Sequence, residues 1–240
     1  MSISIWIVLL AITLAFIGSV VQGVIGFGMG VLASPILALA EPSLVPVAAI
    51  LGSVAMPVFA LVDEHRHLNW RAVGWVMAGT LPATAIGVWL VATLPTRALQ
   101  VTIAIIVLAM VVLNVVRIRI RLNAGTLMGA GFISGVSGTA SGIGGPPVAI
   151  VLANEHPATV RSTLAATFVF ATAMSLSGLA LGGAMTGHAV WVGLAMIPAT
   201  VVGMLTARRL RGRLSPRAFR IGVLALSSVA AILLLGQALM

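Results

Sequence analysis

The chain has 240 residues, of which 60% are hydrophobic and only 7% charged, with a mean hydropathy of +1.21. A soluble domain carries about 25% charged residues, so this chain cannot dress a water-facing surface and reads as an integral membrane protein. Its net charge of +9 comes from thirteen arginines and no lysine, set in short loops between apolar segments, which argues against a nucleic-acid role and for membrane topology.

Apolar segments follow one another at 5–24, 27–40, 44–62, 71–92, 97–116, 124–140, 143–154, 158–181, 186–207 and 217–238. They are continuous rather than alternating at period two, so helices are expected and a β-barrel is not. The first segment lacks a basic leader and is too long for a signal peptide, so it reads as a retained span. Most segments reach the ~20 residues needed to cross ~30 Å of hydrocarbon. The segments 27–40 and 143–154 do not, and read as half-spans or re-entrant arms. The expectation is an all-α polytopic membrane protein with about 8–10 transmembrane or half-spanning helices.

The two short segments occupy corresponding places. A shift of 116 residues sets Phe16-Ile17 on Phe132-Ile133 and Gly26-Phe27-Gly28 on Gly142-Ile143-Gly144. The same shift sets Trp75 on Trp191, Pro82-Ala83-Thr84 on Pro198-Ala199-Thr200, and Gly87 on Gly203. The chain therefore reads as two repeats, 1–118 and 124–240. The arginines orient them. If each repeat crosses the membrane an odd number of times, the second is inverted, and twelve of the thirteen arginines share one side, leaving only Arg97 opposite. An even number would break the positive-inside rule. Both termini are then expected outside, which in a bacterial inner membrane means the periplasm.

Both short segments follow a glycine-dense interruption, Gln22 to Gly30 (QGVIGFGMG) and Gly138 to Pro147 (GTASGIGGPP). Glycine costs a helix about 1 kcal/mol against alanine, and an opened backbone in lipid is tolerated only where protein or a cavity covers it. A small-xxx-small packing face, Gly26 to Gly30, explains one such motif alone. Two at symmetric positions, each with prolines (Pro35; Pro146 and Pro147), predict a midplane substrate site, where half-helix N-termini attract an anion.

The residues expected to bind substrate are Ser19, Gln22, Gly23, Gly26, Phe27, Gly28 and Gly30 from the first half. Ser137, Gly138, Ser141, Gly142, Gly144, Gly145, Pro146 and Arg161 come from the second. Neutral hydroxyls suit a weakly hydrated oxyanion that must also be released, although serines in spans often bond back to their own helix. Arg161 is either a positive-inside anchor or an attractor for the anion.

No cofactor or metal site is expected. Asp63, Glu64, His65 and His67 read as a solvated loop, and the absence of cysteine removes thiolate chemistry. No Walker A motif is present, so ATP is not expected to power the chain; coupling to protons or the membrane potential is. Gly135-Val136-Ser137-Gly138 resembles the serine motif of intramembrane proteases, but the later histidines, His156 and His188, fall at span edges, far from a nucleophile's needs. An anion channel is the other alternative.

The two glycine motifs, GSVVQGVIGFGMGVLASPIL and SGVSGTASGIGGPPVAIVL, are similar over the whole chain to those of the sulfite exporter TauE/SafE family of bacterial membrane proteins. The resemblance implies a small transporter of anions such as sulfite, sulfonates or related organosulfur compounds, and carries the family's glycines onto Gly23, Gly26, Gly28, Gly30, Gly138, Gly142, Gly144 and Gly145. Pro146-Pro147 departs from the family pattern.

Overall fold

The computed structural model describes residues 4–25, 28–116, 120–210 and 216–240, with the backbone alone at 25, 63, 64 and 216–219. The secondary structure of these residues is helical throughout, with no strand. In order come α1 (Ile5–Ile25), α2 (Met29–Ala40), α3 (Val47–Ser53), α4 (Ala55–Glu64), α5 (Trp70–Thr93) and α6 (Thr96–Val115). Then follow α7 (Ala124–Ser141), α8 (Gly145–Leu152), α9 (Pro157–Leu181), α10 (Gly187–Leu210) and α11 (Pro216–Leu239).

Six helices, α1, α5, α6, α9, α10 and α11, are long and apolar enough to cross a membrane. The two short segments are short helices: α2 has 12 residues and α8 has 8, about 18 Å and 12 Å of rise. Neither spans ~30 Å. The count exceeds the expectation because segment 44–62 is not one helix. It breaks at Val54, whose N–H turns back to Leu51 O at 3.1 Å. The cause lies downstream: Pro57 has no N–H to offer the carbonyl of Ser53.

The closest helix pairs cross between the two halves. α1 packs on α10 and α5 on α7, with α11 on α6. Glycine permits the approach. On α5 and α7, Gly79 faces the Met128 carbonyl and Gly131 faces the Val76 carbonyl. A Cβ on Gly135 would meet the Ala83 Cβ at 2.7 Å, and one on Gly87 would meet the Thr139 Cβ at 2.6 Å. Those contacts rise together along both chains, so the two helices are parallel. On α1 and α10, Gly203 lies against Phe16 O and Gly23 against Ala207, again in parallel. The halves 1–118 and 124–240 are thus interlocked rather than side by side.

The same packing gathers the arginines. Asn69 N donates to Thr163 Oγ1 at 3.2 Å, which sets the start of α5 beside the start of α9. Arg208 lies 5.9 Å over the ring of Phe59 on α4, and Arg220 donates to the Asn114 carbonyl at the end of α6. Among the described arginines, Arg66, Arg71, Arg121, Arg161, Arg208, Arg209 and Arg220 therefore sit at one end of the bundle. Arg97, which opens α6, sits at the other.

The outer surface is apolar. Trp6, Trp70, Trp75, Trp89 and Trp191 are all exposed, together with many leucines and isoleucines. In water such a surface would aggregate; against lipid it is the expected coat, with tryptophan favoured at the interfaces.

Candidate functional site

The helix α2 is almost wholly buried, from Met29 through Ala38 on its inner faces. A short helix cannot be held by its own propensity, and here two glutamines pin its ends. Gln22 Oε1, in the last turn of α1, accepts from Met29 N at 3.1 Å, and Gln100 Nε2 of α6 donates to Ala38 O at 3.3 Å. The chain enters α2 through Gly28, whose φ of 138° is closed to other residues without strain. α7 ends on Gly142 in the left-handed region (φ 76°), whose N–H closes on Gly138 O at 2.8 Å. This is the αL cap that glycine favours.

The two interruptions meet. A Cβ on Gly30 would lie 2.5 Å from the carbonyl oxygen of Gly142, so only glycine fits there. Gly144 is equally tight, with Ser134 Oγ 2.8 Å from its Cβ position, and Ser134 Oγ donates to Gly144 O at 2.5 Å. A cavity of about 830 Å³ reaches from this contact to the arginine-bearing end, where Asn114, Glu155 and Arg161 line it. Its walls include Met56, Leu164, Phe168 and Met204, and among the described lining residues Glu155 and Arg161 alone are charged.

Ten of the expected site residues line that cavity: Gln22, Gly23, Gly28, Gly30, Gly138, Gly142, Gly144, Gly145, Pro146 and Arg161. Gly26 and Phe27 lie outside the described residues. Three serines are placed elsewhere. Ser19 Oγ donates to Ala15 O at 2.5 Å, Ser137 Oγ to Ile133 O at 2.8 Å and Ser141 Oγ to Ser137 O at 2.7 Å, all buried and none on the cavity wall. Each hydroxyl is committed to its own helix four residues back. His156 is likewise committed, its Nδ1 accepting from Ala158 N at the start of α9, so it does not serve Ser137.

The polar groups that sequence reasoning did not assign to the site are Ser53, Asn114, Ser134, Glu155, Thr172 and Ser175. Ser134 stood beside the break and could have been found; Thr172 and Ser175 come from the middle of α9, where no local signal marks them. The two N-termini are also unequal. The first turn of α2 presents N–H groups at Met29, Gly30 and Val31, of which Gln22 takes the first. In α8 the second and third residues are Pro146 and Pro147, which carry no N–H. The expected pair of anion-facing helix ends is therefore one good end, α2, and one poor one.

A family model for the sulfite exporter TauE/SafE family matches residues 10–234. The chain belongs to that family. A curated relative is the probable sulfite/organosulfonate exporter TauE of Cupriavidus necator, 25% identical over 214 residues that cover 85% of this chain and 84% of the relative. No solved structure matches significantly. Family membership and the six apolar helices make the protein a multi-pass membrane transporter.

The capping role of Gln22 yields a first expectation. Gln22→Glu keeps an acceptor for Met29 N and places a negative charge where the helix dipole favours one, so folding stability should hold. The same charge competes with an incoming anion, and the apparent KM for transport should rise about tenfold, as 1–2 kcal/mol of like-charge cost implies. Thermal unfolding and initial-rate flux on the purified protein check both halves; an unchanged KM overturns the site.

Proposed function

We propose that the protein moves small sulfur oxyanions, sulfite or organosulfonates, across a bacterial inner membrane by alternating access, exporting them as the name of its Cupriavidus necator relative describes for that protein. The observation that carries this reading is the contact of the two glycine breaks at Gly30 and Gly142, with the first turn of α2 opening beside it into the cavity. An anion there meets the N–H groups of Gly30 and Val31 and the positive end of a buried helix dipole. Arg161, at the outer edge of the cavity, draws anions from the arginine-bearing side.

The chain works as two inverted repeats, 1–118 and 124–240. Matching helices have matching partners, α1 on α10 as α7 on α5, α10 on α3 as α5 on α9, which supports the pseudo-symmetry. The positive-inside rule turns the arginine-bearing end to the cytoplasm and both termini to the periplasm. Rocking one set of helices against the other about the glycine contact exposes the anion to either face, driven by protons or the membrane potential. Proteoliposomes loaded with radiolabelled sulfite, sulfoacetate or thiosulfate, with and without a pH gradient, test the proposal. Flux should saturate at millimolar substrate or below, as a carrier's does. Flux that stays linear with concentration points to a channel, and no flux of any of the three removes the substrate class.

A further inference from the structure

Most serines in the spans of this protein bond back to their own helix, but Ser34 does not. It sits in the middle of α2, fully buried, and its Oγ has no hydrogen-bond partner. Leaving a buried hydroxyl unmade is costly, and an unpaired group of this kind in a native fold calls for an explanation. Ser227 on α11 is the other case among the described residues, but it is not placed at the glycine breaks. Ser34 is. It lies one turn beyond Gly30, on the same face of the helix, and its Oγ is 3.4 Å from where a Cβ on Gly142 would stand. The hydroxyl therefore faces the gap that the missing side chain of Gly142 leaves, at the seam where the cavity from the arginine-bearing end stops.

We propose that Ser34 is a substrate-contacting residue: its hydroxyl donates a hydrogen bond to the sulfonate or sulfite oxygens as the anion passes the seam between the two glycine breaks. The inference rests on the anion-transport reading and adds to it a donor beyond the first turn of α2. It explains why the hydroxyl is kept without a partner. With the seam shut, Ser34 has nothing to bond; with it open, Ser34 follows Gly30 and Val31 along one helix face and hands the anion onward. A polar group that must release its partner on every cycle cannot also be tied into the helix.

Two variants test this. Ser34→Ala removes an unsatisfied group, so a purely structural role predicts equal or higher thermal stability and unchanged transport. The proposal predicts the same stability with KM for an organosulfonate raised about tenfold, the loss of one hydrogen bond to a charged acceptor. Because the chain has no cysteine, Ser34→Cys is a single reporter. In transporting proteoliposomes it should react with the anionic 2-sulfonatoethyl methanethiosulfonate, itself an alkyl sulfonate, and be protected by excess organosulfonate. It should resist the cationic trimethylammonium reagent of similar size. Wild-type KM in Ser34→Ala overturns the proposal, as does a thiol that neither reagent reaches or that both reach equally. Gly30→Ala run in parallel separates the two levels: if it abolishes flux while Ser34→Ala is silent, the site stands and the role of Ser34 falls.

Discussion

Gly30→Ala should abolish transport while Gly138→Ala, in the partner motif, should leave it largely intact. Both substitutions add one methyl group to a glycine of the same pair of motifs, and both glycines line the cavity. They differ in what the methyl meets. At Gly30 it lands 2.5 Å from the Gly142 carbonyl oxygen, a backbone atom fixed by the αL cap that ends α7. At Gly138 the nearest atom is Gly144 Cα at 3.5 Å, ordinary contact. Overpacking a rigid site costs about 1–3 kcal/mol, and forcing the breaks apart moves the first turn of α2 relative to the opposite wall by an ångström or so. Displacement of that size is enough to cost about a hundredfold in a positioned site. Flux assays on protein reconstituted at equal density measure the ratio of the two variants. Equal activities would mean that the seam carries no function.

The second large effect concerns folding. Gly131→Ala should cost 3 kcal/mol or more, at the upper end of overpacking effects, and lower the folded yield in detergent sharply. Its Cβ would run into the carbonyl of Val76 on α5, backbone against backbone, with no flexible side chain to yield. Gly129→Ala, two residues away on the same helix, meets nothing within 4 Å. There the substitution should stabilise α7 by about 0.5–1 kcal/mol, since alanine loses less conformational freedom than glycine. Thermal unfolding of the pair by a light-scattering or fluorescence ramp gives the comparison. A Gly131→Ala protein as stable as wild type would show that α5 and α7 are not packed as closely as they stand here.

The two variants mark what the sequence makes legible. Glycine breaks in apolar sequence need no partner to be recognised, because in lipid the backbone has few options; hence the short helices α2 and α8 and the residues between them were readable. Which glycines are irreplaceable was not, since Gly129 and Gly131 look alike in the chain and differ only in what faces them. Side-chain direction was hidden for the same reason. Ser19, Ser137 and Ser141 stand close to the breaks in sequence, but a helix turns about 100° per residue, and all three turned to their own carbonyls. The break at Val54 did carry a signal, Pro57, outweighed by an apolar run long enough to read as one span. The poor N-terminus of α8 was likewise written in Pro146 and Pro147: proline opens a helix readily at its start, yet removes the donors an anion would use.

The interlocking of the halves has a consequence for how the protein is made. While the ribosome is still translating the second half, α1 and α5 already lie in the bilayer, yet α10 and α7, the surfaces they will grip, do not exist. Their glycine grooves must wait against acyl chains, unfilled, until the later helices leave the translocon. The native architecture is therefore completed late and all at once, and expressing 1–118 alone should give a membrane-inserted but proteolytically fragile fragment that co-expression of 124–240 rescues.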